Sequence, residues 1–240
     1  MATLSIELVT FDCAQTLVDV RWTLDGFARD CMVRLGLELP TEAYDRLLQL
    51  YGAALPEYLQ INLTKDADAG EQFWQRLTAS WFQEFGIAES WVKPSRLLSD
   101  SLMYGADSPY FQLFHDVLPC LNGLSQRGIK LAIISNWDYS LHRILEQLGI
   151  NKRFETVIAS LEEGVEKPHS RLFEICLERV GVARENVLHV GDDLLDDIEG
   201  ARNAGIRSVY LDRSHRLTYE AIPHRITSLT QLPEALEWIV

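Results

Sequence analysis

"IELVTFDCAQTL", residues 6–17, runs from an apolar segment into a single carboxylate, Asp12, and two places later into an alanine, Ala14. An apolar run this short, closed by polar residues, reads as a buried strand rather than a helix. A carboxylate just beyond such a strand stands where open parallel sheets bind their ligands. Further strands of this kind, and the residues just beyond each of them, are therefore the places to look for a site.

Four more apolar runs appear: "KLAIIS" at 130–135, "TVIAS" at 156–160, "VLHVG" at 187–191 and "RSVYLD" at 207–212. Between them lie helical patterns, "YSLHRILEQLG", "SRLFEICLERVG" and "DIEGARNAG", closing on Gly149, Gly181 and Gly205 as C-terminal caps. Alternating strands and helices predict an α/β fold with a doubly wound, Rossmann-like parallel sheet of about five strands. "HRITSL" and "QLPEALEWI" are expected to finish that domain.

The stretch after the first strand reads as helices, including "LDGFARDCMVRLG", "TEAYDRLLQLYGAAL" and "EQFWQRLTASWFQEFG", with "KDADAGE" at 65–71 as a polar loop. It is too long for a crossover. The expected organisation is an α/β core of residues 1–17 and 105–240, and an all-helical insertion of residues 18–104 above the sheet's C-terminal edge, where it would exclude water. Trp22, Trp74, Trp81 and Trp91 fall in the insertion and are expected to pack between helices.

Composition excludes several functions. An apolar fraction of 47% with 24% charged residues is that of a folded globular protein. A formal charge of -13 without a basic run argues against nucleic acid as a partner. Cys13, Cys31, Cys120 and Cys176 show no CxxC spacing, which suits a reducing, cytoplasmic setting. No apolar run approaches the roughly 18 residues of a membrane span, and "MATLSIELV" lacks a signal-peptide pattern. A small-molecule substrate is the partner left.

The strand ends carry the chemistry. The first strand ends in Asp12, the second in Ser135-Asn136, the third leads to Lys167-Pro168, and the fourth runs into "GDDLLDD" with Asp192, Asp193, Asp196 and Asp197. Carboxylates crowded at one low-dielectric edge repel one another unless a cation joins them, and oxygen ligands favour a hard one such as Mg²⁺. Asp138 reads as a helix cap, Asp193 and Asp196 as capping or solvated, Pro168 as a first-turn proline, and His189 as a satisfied core residue.

In these four motifs, in this order, the chain resembles the haloacid dehalogenase-like hydrolase superfamily with a helical cap inserted after the first strand. The family's usual DxDxT stands here as Asp12-Cys13-Ala14-Gln15-Thr16. The resemblance implies that Asp12 is a nucleophile forming an aspartyl intermediate, and that Asp12, the backbone carbonyl of Ala14 and Asp192 hold Mg²⁺, with Asp197 helping directly or through water. It implies that Ser135, the adjacent Asn136 and Lys167 bind the phosphoryl group and that Thr16 steadies the loop.

In the family's phosphatases the second aspartate of the first motif protonates the leaving alcohol, help typically worth about 10² to 10⁴ in rate. Ala14 has no proton to give. The leading expectation is a Mg²⁺-dependent phosphohydrolase of a small phosphorylated metabolite. The alternatives are a phosphonatase using Lys65 or Lys93, a haloacid dehalogenase using Arg21 or Arg29 on the substrate carboxylate, and a non-enzymatic binder of phosphorylated ligands.

Overall fold

The structure is a computed structural model that describes residues 5–214 and 224–239. Residues 1–4, 215–223 and 240, parts of the expected core domain, lie outside the described residues. The chain separates into two compact units, Met1–Asp19 with Gln112–Val240, and Val20–Phe111.

The first unit is built on a six-stranded parallel sheet. Its strands are β1 (Leu8–Phe11), β4 (Lys130–Ser135), β5 (Thr156–Ala159), β6 (Val187–Gly191), β7 (Arg207–Leu211) and β8 (Arg225–Ile226), in the spatial order β5-β4-β1-β6-β7-β8. The strands are apolar because helices cover the sheet: Leu8, Val9, Phe11, Leu131, Ile133, Val187, Leu188 and Val190 are buried. Chain order runs outward in both directions from β1, which puts the switch point beside Asp12.

Register sets the functional groups. Phe11 is level with Ile133 and Val190, so Asp12 emerges one residue later, and its backbone N–H still bonds the Val190 carbonyl at 2.9 Å. Ser135 is level with Ala159 at the end of the next strand. Between strands, α6 (Ser140–Gln147) buries Leu141, Ile144 and Leu145, and α8 (Ser170–Val180) buries Leu172, Phe173 and Cys176, the one-sided spacing of a sheet-covering helix. Gly149, Gly181 and Gly205 all hold φ near +70°, the conformation that ends a helix without a Cβ penalty.

The second unit holds α1 (Leu24–Arg34), α2 (Thr41–Thr64), α3 (Ala67–Glu84) and α4 (Val92–Tyr104). Aromatic contacts join its helices: Tyr58 on Phe73 at 4.9 Å, Tyr51 stacked on Trp74 at 5.6 Å, and Trp81 donating to the Ala43 carbonyl at 2.7 Å. β2 (Val18–Val20) and β3 (Phe111–Leu113), where the chain leaves and rejoins the first unit, pair as a two-stranded sheet.

Three local expectations change. α2 does not stop before Pro56 but continues to Thr64. The turn around Pro56 is exposed, so water can satisfy the carbonyl the proline cannot reach, while Tyr58 and Asn62 anchor the remainder. "KDADAGE" is not a loop: Asp66 accepts from the Asp68 and Ala69 N–H groups and starts α3. Pro168 precedes its helix rather than opening it, since His169 is the cap of α8.

Candidate active site

Four strands of the first unit lead to the site: β1 to Asp12, β4 to Ser135, β5 by way of a further helical turn to Lys167, and β6 to Asp192 and Asp197. Asp12 follows β1 and enters a tight turn in which the Leu17 and Val18 N–H groups both bond the Cys13 carbonyl at 2.9 Å. Gln15 takes φ +56° to close it. The turn buries Thr16, whose Oγ1 donates to Asp192 Oδ1 at 3.0 Å.

The four motifs converge. Asp12 Oδ1 receives Ser135 Oγ at 3.0 Å and Lys167 Nζ at 2.6 Å. Lys167 Nζ also donates to Asp197 Oδ1 at 2.5 Å. Asp12, Ser135, Lys167 and Asp197 are all buried, so Lys167 is an interior cation and not a solvated surface charge. Asn136 holds the lysine by its backbone: its Oδ1 accepts from the Lys167 N–H at 2.8 Å, and its Nδ2 donates to the Lys167 carbonyl at 3.0 Å. The Asn136 side chain therefore fixes the segment that carries Lys167, and the same Nδ2 also reaches Asp196 Oδ2 at 3.1 Å.

The "GDDLLDD" segment turns as a π-helix, Leu194–Glu199, begun by Asp193, whose Oδ1 accepts the Leu195 and Asp196 N–H groups at 2.8 Å. π-Helical turns are rare and cluster at functional sites. This one brings Asp197 back so that its Oδ2 accepts the Asp193 N–H at 2.9 Å. An added Cβ on Gly191 would lie 2.1 Å from Asp197 Cγ, so glycine is what lets the carboxylate approach the strand.

Electrostatics follow from burial and charge count. Burial, then the neighbouring Asp197 and Asp192 charges, push Asp12 up to about 6 against the opposing Lys167 ammonium. Burial likewise raises Asp192 to about 6. Asp197 is buried too, but Lys167 and His189 outweigh that and hold it below the usual carboxylate range. Burial would lower Lys167, yet Asp12 and Asp197 outweigh it and keep the ammonium charged.

Asp12, Asp192 and Asp197 each place a carboxylate oxygen within 4.8 Å of the others, against one ammonium. Burial holds two of the three carboxylates above their usual range, and a bound cation would displace those protons. An oxygen-only set of this kind fits a hard divalent cation. Asp197 differs from the other two, because Lys167 and His189 take its Oδ1 and the Asp193 N–H takes its Oδ2.

Residues considered for the alternative chemistries lie in the helical unit. Arg29 lies 4.0 Å over the Tyr44 ring, Lys65 ends α2 in a left-handed conformation, and Lys93 sits in the first turn of α4. The Arg21 N–H bonds the Tyr110 carbonyl at 2.9 Å.

Two contacts had no sequence signal. His189 bonds Asp197, and Arg213 clamps the loop that follows Asp12, its Nη2 donating to the Thr16 carbonyl at 2.7 Å while Nη1 and Nη2 hold Asp116 at 2.9 Å. The π-helical turn returns Asp197 to β6, and the strand order β1-β6-β7 brings Arg213, just after β7, back to the loop that follows β1.

A buried carboxylate at the switch point, flanked by a hydroxyl, an ammonium and further acids, is the arrangement of a candidate hydrolytic site in an α/β fold. The chain belongs to the haloacid dehalogenase-like hydrolase family, which matches residues 6–205. It is 27% identical over 241 residues to "Haloacid dehalogenase-like hydrolase domain-containing protein 3" of Mus musculus, covering 98% of this chain and 95% of that one. It is 29% identical over 214 residues to a glyceraldehyde 3-phosphate phosphatase of Pyrococcus abyssi, covering 85% and 81%. Among solved structures it resembles a 2-haloacid dehalogenase from Pseudomonas syringae pv. Tomato DC3000, with TM-score 0.71, 25% identity and coverage of 98% and 100%. The protein is a hydrolytic enzyme of that family.

Proposed function

We propose that the protein is a Mg²⁺-dependent phosphohydrolase of a small phosphorylated metabolite, acting through Asp12. The observation that carries the reading is the double anchoring of Asp12 Oδ1 by Ser135 Oγ at 3.0 Å and Lys167 Nζ at 2.6 Å. Two donors on one oxygen set the plane of the carboxylate and hold a reactive group in one orientation.

Asp12 attacks phosphorus, the P–O bond to the leaving group breaks, and a phosphoryl-aspartate forms. Water then attacks the same phosphorus, the aspartyl O–P bond breaks, and inorganic phosphate leaves with Asp12 restored as a carboxylate. Lys167 has a third N–H to stabilise the equatorial oxygens in both steps, and the single Ser135 proton turns from Asp12 to a phosphoryl oxygen once substrate is bound. Asp192 and Asp12, with the Ala14 carbonyl, would hold the cation, which supplies neutralising charge to carboxylates and phosphoryl oxygens when bound. Thr16 fixes Asp192, and Asn136 fixes the backbone of Lys167. The helical unit, Val20–Phe111, is assigned the cap's role of selecting the substrate.

Ala14 removes the usual acid, so esters of good leaving groups are the preferred substrates. The same residue favours a second reading, metal-free hydrolysis of a carbon–halogen bond, because halide departs without a proton. The test is a panel of aryl phosphates, alkyl phosphates, phosphonates and haloacids, with and without Mg²⁺, on wild type and Asp12→Asn. Mg²⁺-dependent phosphate release biased toward aryl esters and lost in Asp12→Asn supports the first reading. Metal-independent halide release supports the second, and turnover that survives in Asp12→Asn sinks both.

A further inference from the structure

His189 stands in the middle of β6 and is fully buried. Its ring is edge-on to Phe173, with centroids 5.0 Å apart, which leaves it little rotational freedom. Nδ1 meets Thr10 Oγ1 at 2.9 Å and Nε2 meets Asp197 Oδ1 at 3.2 Å. An ionised carboxylate only accepts, so the ring donates at Nε2. The contacts continue: Asp197 Oδ1 also receives Lys167 Nζ, which in turn donates to Asp12 Oδ1. Thr10 and Asp12 stand two residues apart at the end of one strand, so the five side chains close a ring through β1, β6, the π-helical turn and the Lys167 segment.

We propose that His189 is a positioning residue for the phosphohydrolase reaction: it fixes the Asp197 carboxylate that holds Lys167 against Asp12. Lysine reaches its target on four flexible carbons, and its ammonium is a point charge with no orientation of its own. Two acceptors confine it, and the one on Asp197 is useful only while that carboxylate keeps its rotamer. The Asp193 N–H fixes Asp197 Oδ2, and His189 fixes Oδ1 from the sheet side. Partners that orient a charged site residue in this way typically cost about 10- to 100-fold in activity or metal affinity when removed.

The inference rests on the proposed phosphohydrolase reading, and two amide substitutions separate orientation from simple filling of the core. Glutamine places an amide near the position of Nε2 and can still donate to Asp197, while asparagine places it near Nδ1 and cannot. With p-nitrophenyl phosphate and Mg²⁺, His189→Asn is expected to lower kcat about 10- to 100-fold with KM little changed. His189→Gln is expected to recover most of that loss at a similar melting temperature. Thr10→Val keeps the shape and frees the ring, so a severalfold fall in kcat is expected, and it carries the test if His189→Asn does not fold. Equal impairment of the glutamine and asparagine variants, or wild-type kcat in Thr10→Val, overturns the proposal. If wild type hydrolyses no phosphate ester, the functional reading has failed separately. Crystal structures of the two His189 variants then decide the positioning role, which is overturned if Lys167 Nζ stays on Asp12 Oδ1 in both.

Discussion

In the proposed reaction protons and the divalent cation compete for the same oxygens, and the competition has a calculable size. Asp12 and Asp192 are both pushed up to about 6, chiefly by burial. A group with that value is about 90% protonated at pH 5 and about 10% at pH 7, and cation binding requires the ionised form. Each carboxylate therefore weakens the apparent affinity about tenfold between pH 7 and pH 5, and the two together about 100-fold, or about 2.7 kcal/mol. Isothermal titration with MgCl₂ at both pH values, each in two buffers of different ionisation enthalpy, measures the affinity and the protons released. Stability gives an independent check. Folded values above the unfolded ones mean that the contribution of these two groups is fully present below about pH 4 and is lost as pH rises through about 6. Without divalent cation the melting temperature should fall from pH 5 to pH 7, and saturating Mg²⁺ should reverse that fall. Asp197 and Asp116 are held low, so their contribution is lost only as pH drops through the acid range, below this window. An Mg²⁺ affinity equal within threefold at pH 5 and pH 7 would refute the reasoning.

Three other perturbations test the surroundings of the site. Gly191→Ala drives a Cβ to within 2.1 Å of Asp197 Cγ and Oδ2, so phosphatase activity should fall at least about tenfold with a lowered melting temperature, both read on the purified variant. Arg213→Gln leaves the buried Asp116 without its ion pair and the Thr16 carbonyl without its clamp, a loss of about 3–5 kcal/mol by urea denaturation; adding Asp116→Asn should return part of it. Ala14→Asp restores an acid to the first motif, and kcat on alkyl phosphates should rise by about 10², with aryl phosphates nearly unchanged.

The sheet was legible because parallel strands are buried on both faces and so appear as unbroken apolar runs, as in "KLAIIS" and "VLHVG". Helix ends were legible where glycine marks them, at Gly149, Gly181 and Gly205. The continuation of α2 past Pro56 was not, because local propensity opposes it and tertiary contacts, among them Tyr58 against Phe73 and Trp74, sustain it. Asp12, Ser135 and Asp192 could be picked out at strand ends, and Lys167, past a further helix after β5, through its place in the order of motifs. The roles of Asn136, His189 and Arg213 could not, since each depends on a partner 8 to 197 positions away that the fold brings within hydrogen-bonding distance.

Whether another acid of the same unit replaces the one missing at Ala14 is answered, for the acids that come after β6, by their hydrogen bonds. Asp193 accepts the Leu195 and Asp196 N–H groups, and Asp196 accepts from Asn136. Asp197 is enclosed by Lys167, His189 and the Asp193 N–H. Asp192 is raised to about 6, but Thr16 anchors it and the cation would require it ionised. An acid must arrive protonated and face the leaving group, and each of these carboxylates already has another task. In the proposed reaction the leaving group departs as an anion or takes its proton from water. The ratio of aryl to alkyl turnover then tracks leaving-group pKa steeply in wild type and shallowly in Ala14→Asp, and a shallow dependence in wild type would mean that a proton donor outside this set serves the site.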